Sequence, residues 1–275
     1  MAKNRFVAAV LVALGCLFSA GSAFADRPVP WEMNFQEAAS PTMERVRSLH
    51  DGVLIIITII TLFVLGLLLI VIFRFNEKRN PQPSRTSHNT LVEVAWTVVP
   101  VIILLGIAIP SFRLLYFSDR SPDPQMTIKA IGHQWNWSYE YPDNGNFTFD
   151  AAIVDEKDLQ PGQPRLLETD NPVVVPVGVD VRVLTTSTDV IHSWAMPSFG
   201  LKMDAMPGRT NETWFRVLRE GTYYGQCSEL CGVGHGYMPI KIEAKSKKDF
   251  ATWVKEAQKK FARVDGTAPT AVAQK

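Results

Sequence analysis

The residues best suited to chemistry lie close together, in Cys227-Ser-Glu-Leu-Cys231-Gly-Val-Gly-His235-Gly-Tyr-Met238. Two thiols, an imidazole and a thioether fall in this stretch, spaced four, four and three residues apart. Thiolate and thioether are soft donors and imidazole is borderline, a set that suits copper far better than magnesium or calcium. Gly232, Gly234 and Gly236 let the backbone turn tightly, so that side chains of one loop can converge on one centre. A plain disulfide accounts for the two cysteines but not for His235 and Met238 at their spacing. Zinc would need a second histidine, because methionine is a poor zinc ligand. A blue-copper site uses one cysteine with a histidine and a weak axial methionine, and here a second cysteine has been added. The donor set points to copper.

Such donors need a rigid frame, and between residues 126 and 244 the sequence has the period-two pattern of strands. Residues 126–131 alternate, as do 147–150. Val173, Val175, Val177, Val179, Val181 and Val183 form a long alternating set interrupted by Pro176. Thr213, Phe215 and Val217 alternate with Trp214, Arg216 and Leu218, which predicts a strand covered on both faces. Turn residues at Asp143-Asn-Gly, Pro161-Gly and Pro207-Gly punctuate these runs, so the expected frame is an antiparallel sandwich or barrel. Ser246-Lys-Lys-Asp249 reads as a capping box, and Phe250, Trp253, Val254, Ala257 and Phe261 follow at helical spacing.

The chain also has the means to fix this frame to a membrane. Residues 52–73 carry no charge and are bounded by Asp51 and Arg74; they reach about 33 Å as a helix, enough to cross the hydrocarbon core. A second uncharged run, 94–112, lies between Glu93 and Arg113 and contains Pro100 and Pro110, which a membrane helix tolerates. The connecting segment 74–93 holds Arg74, Lys78, Arg79 and Arg85 against Glu77 and Glu93, which predicts a cytoplasmic loop. At the N-terminus, Lys3 and Arg5, an apolar run and Ala23-Phe24-Ala25 make the pattern of a secretory signal peptide cleaved before Asp26. Cys16 would leave with it, and the mature chain would keep only Cys227 and Cys231, in an oxidising compartment. The 275 residues leave room for little more than this anchor and one folded domain. A net charge of +1 without a basic, aromatic-rich patch argues against a nucleic-acid partner.

The ligand stretch is similar to the binuclear CuA motif of cytochrome c oxidase subunit 2. The resemblance extends to Asp189-Val-Ile-His192-Ser-Trp194, to Gly132-His-Gln-Trp-Asn-Trp-Ser-Tyr-Glu-Tyr141, to Lys202-Met-Asp-Ala-Met-Pro-Gly-Arg209 and to the paired apolar runs. It covers residues 30–260, approximately. It implies a cupredoxin-like Greek-key β-sandwich or barrel behind a two-helix transmembrane hairpin, in a bacterial inner membrane. The expected division is a signal peptide at 1–25, an extracytoplasmic segment at 26–51, a hairpin at 52–117 with helices over 52–73 and 94–115, a copper domain at 118–262, and a disordered tail at 263–275.

The resemblance also implies roles. Two coppers would share Cys227 and Cys231; His192 and His235 would each hold one, with Met238 on one and the backbone carbonyl of Glu229 on the other. The Glu229 side chain would bind magnesium or manganese at the junction with the catalytic subunit. Trp135 would be the electron entry point, although Asn136 replaces the aromatic usual between Trp135 and Trp137. Glu140, Asp170, Asp189 and Asp204 would face cytochrome c, with Thr188 standing where a further carboxylate is common. Glu93 would sit at the mouth of a proton channel, although a carboxylate there is often merely solvated. The partners would be the haem-bearing subunit 1, subunit 3, cytochrome c and lipid, with no haem in this chain. Oxygen reduction and most of the proton translocation would take place in the haem-bearing subunit. A copper-delivery protein would carry a thioredoxin-like body on one helix, and a quinol oxidase subunit would lack the copper ligands.

Overall fold

The computed structural model describes residues 25–119 and 123–261. The tail expectation at 263–275 and, Ala25 apart, the signal-peptide expectation at 1–25 lie outside the described residues. After a two-residue strand at Ala25–Asp26 come two long helices, α1 (Pro41–Arg74) and α2 (Thr90–Asp119). Their apolar spans are exposed along their length, so in a folded assembly lipid or a partner must cover them.

Both helices outrun the charge-free runs that betray them. A lack of charge marks what can cross the hydrocarbon; caps decide where a helix starts. The Ser40 hydroxyl oxygen accepts from the Met43 N–H at 3.0 Å, and Pro41 occupies the first turn, so α1 begins well before Gly52. The segment read as a separate 26–51 stretch therefore ends in helix. Asn89 does the same for α2: its side-chain oxygen accepts from the Val92 N–H at 3.2 Å, while Glu93 accepts from the Asn89 N–H at 3.3 Å. Only residues 75–89 remain as the connecting loop.

The β-domain is a two-sheet sandwich with Greek-key crossovers. Its strands are β1 (Ala25–Asp26), β2 (Met126–His133), β3 (Asn136–Tyr141), β4 (Phe147–Ala151), β5 (Val173–Pro176), β6 (Asp180–Ser187), β7 (His192–Met196), β8 (Leu201–Ala205), β9 (Asn211–Arg216), β10 (Gly221–Cys227) and β11 (Pro239–Lys245). One sheet runs β5-β11-β10-β7-β8 with β1 beside β10, and the other runs β4-β3-β2-β6-β9. Large side chains such as Trp194, Phe199, Phe215, Tyr223, Ile128 and Ile240 fill the space between them. A helix, α3 (Lys247–Lys260), is capped as expected by Ser246, whose hydroxyl oxygen accepts from the Asp249 N–H. It lays Trp253 5.3 Å from Tyr141, and Phe261, just beyond it, stacks 4.9 Å from Phe149.

Two patterned stretches are divided in the structure. The alternating valines fall in two strands, divided after the interrupting Pro176: Val173, Val174, Val175 and Pro176 are all buried in β5, and Val181 and Val183 belong to β6 in the other sheet. Pro176 cannot donate to a ladder, and Gly178 at φ +72° turns the chain between the two. The stretch 132–141 is also divided, because Gln134 and Trp135 form the turn between β2 and β3.

Anchor and sandwich are joined by specific bonds. The Ser40 hydroxyl donates to the Phe199 carbonyl at 2.7 Å, the Ala39 N–H to Ser198, and the Leu218 N–H to Ala39. At the other helix, the Trp214 indole donates to the Phe117 carbonyl at 3.2 Å, and its ring meets Phe117 edge-on. That contact explains why both faces of β9 are covered.

Candidate metal centre

Cys227 ends β10, and Met238 directly precedes β11, the neighbouring strand of the hairpin. The Cys227 N–H donates to the Met238 carbonyl at 3.0 Å, and the Ser228 N–H to the Ser193 carbonyl at 2.9 Å. The ends of the loop are thus fixed by main-chain bonds, independent of any side chain. The next strand across, β7, opens with His192, and Trp194 of β7 pairs with Cys227. The sheet therefore brings His192 to the loop across a sequence gap of 35 residues.

The donor atoms group around two sulfurs. Cys227 and Cys231 are both free, with sulfurs 3.7 Å apart, well beyond the roughly 2.05 Å of a disulfide. The Cys227 sulfur lies 3.9 Å from His192 Nδ1 and 3.4 Å from the Glu229 carbonyl oxygen. The Cys231 sulfur lies 3.6 Å from His235 Nδ1 and 3.8 Å from the Met238 sulfur. Ligand atoms of His192, Cys227 and Cys231 fall within 4.8 Å of one another. Each sulfur has one imidazole and one weak donor beside it. His192, Cys227, Cys231 and Met238 are all buried, so this soft set is shielded from water and from harder competing ions. The residues present fit copper.

The electrostatics agree with a metal-binding pair. Burial pushes the Cys227 thiol up, but the His192 ring, the Ser193 and Glu229 backbone and the His235 ring outweigh it and hold the thiol down at about 6. Burial, then the neighbouring Cys227, pushes the Cys231 thiol up to about 12. One proton leaves the pair readily, and the second is held because two thiolates this close repel unless a cation lies between them. Burial lowers the basicity of His192, but Cys227 and Asp189 more than offset it, and its proton is held more tightly than usual.

A second layer orients the first. His192 Nε2 donates to Asp189 at 2.8 Å, which leaves Nδ1 free to face Cys227. Asp189 also accepts from the Gln134 N–H at 2.7 Å, tying the β2–β3 turn to the site. In that turn the Gln134 amide and the Trp135 indole N–H both donate to the Cys231 carbonyl, at 2.8 and 3.2 Å. Trp135 is 38% exposed, and its ring lies on Gly232 and Gly234; a Cβ on Gly234 would overlap it. Gly232 also has φ +118°, whereas Gly236 has neither a positive φ nor a close neighbour, so the tight-turn reading holds for Gly232 alone.

Other expected residues are scattered. Asp170 and Asp204 are exposed, Asp170 beside Ala152 at the end of β4 and Asp204 on β8 opposite Ser193. Glu140 is four residues along β3 from the turn and faces Lys129 at 3.7 Å. Asp189 is committed to His192 and Gln134, not to the surface alone. The Glu229 side chain is exposed, and Glu93 lies at the start of α2. The sequence reading missed Gly132 and Gly225. A side chain on Gly132 would collide with the His192 ring, and one on Gly225 with the Ala195 carbonyl. Neither has a local signature, because each answers to a neighbouring strand. It also missed His133, which bonds Thr188 and Ser138 at 2.8 Å each, with Ser138 donating to Asp150. Burial lowers the His133 pKa.

Known proteins can now be set beside this geometry. The family model for the cytochrome c oxidase subunit II periplasmic domain matches residues 126–245, and that for its transmembrane domain matches 28–114. A probable cytochrome c oxidase subunit 2 of Rickettsia bellii is 50% identical over 254 residues, covering 92% of this chain and 94% of the relative. The cytochrome c oxidase subunit 2 of Oenothera berteroana is 51% identical over 245 residues, covering 87% of this chain and 95% of that one. The crystal structure of the periplasmic domain of subunit II of cytochrome oxidase from Bradyrhizobium japonicum is 55% identical, with a TM-score of 0.49, and covers 52% of this chain and 100% of that one. The two family models together take in both the helix pair and the sandwich that holds the cysteine pair, and this chain belongs to the cytochrome c oxidase subunit II family.

Proposed function

We propose that this chain is the electron-entry subunit of a respiratory cytochrome c oxidase, taking electrons from reduced cytochrome c and handing them to haem in the catalytic subunit. The observation that carries the proposal is the pair of unbonded thiols, 3.7 Å apart, with one imidazole beside each. Cys227 and Cys231 would bridge two copper ions, with His192 and the Glu229 carbonyl at one and His235 and Met238 at the other. When bound, that pair of ions supplies a one-electron redox centre whose charge is spread over both metals. The chain's own part is to hold the donors still. The Cys227–Met238 and Ser228–Ser193 main-chain bonds and the Asp189–His192 bond fix them in advance. Little then has to move when charge changes, which keeps the barrier low.

The exposed Trp135, bonded to the Cys231 carbonyl, is the entry point in this reading. Asp170 and Asp204, with part of Asp189 and the more distant Glu140, would attract the basic face of cytochrome c. The exposed Glu229 carboxylate would reach magnesium or manganese at the junction with subunit 1, and subunit 3 would complete the complex. The sandwich and both mature termini lie in the periplasm of a bacterium, with residues 75–89 in the cytoplasm. A cleaved signal peptide at 1–25 and the basic loop support that orientation. Oxygen reduction and most of the proton translocation belong to the partner subunit, with Glu93 at a proton entrance.

Trp135→Phe in the assembled oxidase tests the electron-entry reading. Stopped-flow entry from reduced cytochrome c should slow more than about ten-fold, roughly 1.4 kcal/mol of barrier. Its salt dependence should stay as it was, because no charge is lost. An unchanged rate would return Trp135 to a structural role and remove the route.

A further inference from the structure

Where the helix pair meets the sandwich, α1 and α2 part around a cavity of about 330 Å³. Its mouth carries Arg45 and Arg113, and no acidic side chain lines it. Its depth is apolar, with Val53 and Ile56 on one wall and Ile107 on the other. Gly52 and Gly106 both line it, and a Cβ at either would meet no atom within 4 Å, so the two helices stand well apart there.

The position of this cavity relative to the hydrocarbon gives it meaning. Gly52 opens the charge-free run of α1, and Arg113 follows the last residue of the run in α2. The two guanidiniums therefore stand at headgroup level, and Gly106, about 10 Å further along α2, lies among acyl chains. The Arg45 guanidinium rests 3.8 Å above the Phe117 ring, which fixes its place without cancelling its charge. Arg113 has no hydrogen-bond or ion-pair partner among the described residues. Nearby Asp51 faces His50 at 3.2 Å. Two permanent cations above an apolar slot match one kind of molecule: a phosphate ester with a hydrocarbon tail. Guanidiniums recognise phosphate by paired charge-assisted bonds. Free phosphate would leave the slot uncovered, and a partner helix, about 10 Å across with its side chains, needs a wider trough.

We propose that this groove binds one anionic phospholipid of the leaflet on the sandwich side, its phosphate on Arg45 and Arg113 and an acyl chain between Gly52 and Gly106. The bound lipid seals the space between the helices beneath the copper domain. The test is native mass spectrometry of the assembled oxidase, delipidated in detergent and titrated with phosphatidylglycerol, phosphatidylcholine or inorganic phosphate. The wild type should retain one more phosphatidylglycerol than an Arg45→Gln, Arg113→Gln double variant, whose affinity falls about ten-fold or more. Gly106→Leu keeps both charges and fills the slot, so it should lose the same lipid while leaving the copper spectrum unchanged. Phosphatidylcholine should bind at least about ten-fold more weakly, and inorganic phosphate should not displace the lipid. Equal retention by Gly106→Leu, equal binding of the two lipids, displacement by phosphate alone, or a groove that holds no lipid because a partner helix fills it would each overturn the proposal. Gly106→Leu alters no charge, so it decides the matter even if the double variant fails to assemble.

Discussion

At the scale of single residues, the site is built by holding several of its donor residues with a second bond. His192 Nε2 is held by Asp189, the Cys227 N–H by the Met238 carbonyl, and the Cys231 carbonyl by two donors from the β2–β3 turn. Asp189 therefore works first on the ligand and only second as surface charge. Asp189→Asn keeps the shape but offers Nε2 a weaker acceptor. Copper should then be retained about ten- to one hundred-fold less tightly, as for other groups that orient a metal-bound histidine. Titration with a copper chelator measures this, and unchanged retention would mean that His192 needs no such partner. The ligand stretch itself could be read from sequence because four donors lie within one loop and need no knowledge of the fold. His192 could not be found that way, since only the pairing of β7 with β10 brings it near. Its assignment came from resemblance.

At the scale of elements, the decisive feature is how closely strands and loops can approach. Gly225 lies on β10 two residues before Cys227, where its lack of a side chain lets β7 come close. Gly225→Ala should push the two strands apart and cost about 1–3 kcal/mol, as overfilled interiors do, with loss of copper binding. Gly234→Ala acts on the loop instead: its Cβ would displace the Trp135 ring without touching a ligand. It should slow electron entry while copper content stays full. Denaturant melts and metal analysis of the two variants separate these outcomes, and full copper in Gly225→Ala would show that strand spacing is not what fixes the ligands. Strand alternation was legible at β2 and β4, which each bury one face, and β9 was legible as a strand covered on both faces. Over residues 173–183 the rhythm runs on across two strands, because Pro176 and Gly178 move the chain from one sheet to the other without breaking it, and only Pro176 marks the division in the sequence. The helices were legible in kind and not in length. Charge ends a membrane span, but Ser40 and Asn89 decide where the helices begin.

At the scale of the whole molecule, two frames with different solvents are joined at a few points: Ser40 on Phe199, Ala39 on Ser198 and Trp214 on Phe117. These bonds keep the cysteine loop in a fixed relation to the span. Glu93 lies at the far end of that span, where it also accepts the Asn89 N–H and so helps to close the start of α2. Charge and cap can be separated. Glu93→Gln keeps an acceptor oxygen but cannot titrate, whereas Glu93→Asp titrates on a shorter arm. If Glu93 gathers protons, Gln should slow steady-state turnover severalfold, Asp should recover part of it, and the copper spectrum should not change. Turnover of the Gln variant equal to wild type across pH would leave only the cap. All of this rests on the claim that the two thiols share two metal ions, and the most direct test is copper content and electron paramagnetic resonance of the purified full chain. Two coppers per chain, a purple colour and the hyperfine pattern of one electron shared between both nuclei are predicted, all lost in Cys227→Ser while the β-sheet signal remains. One copper per chain, or a colourless protein after copper loading, would contradict the account.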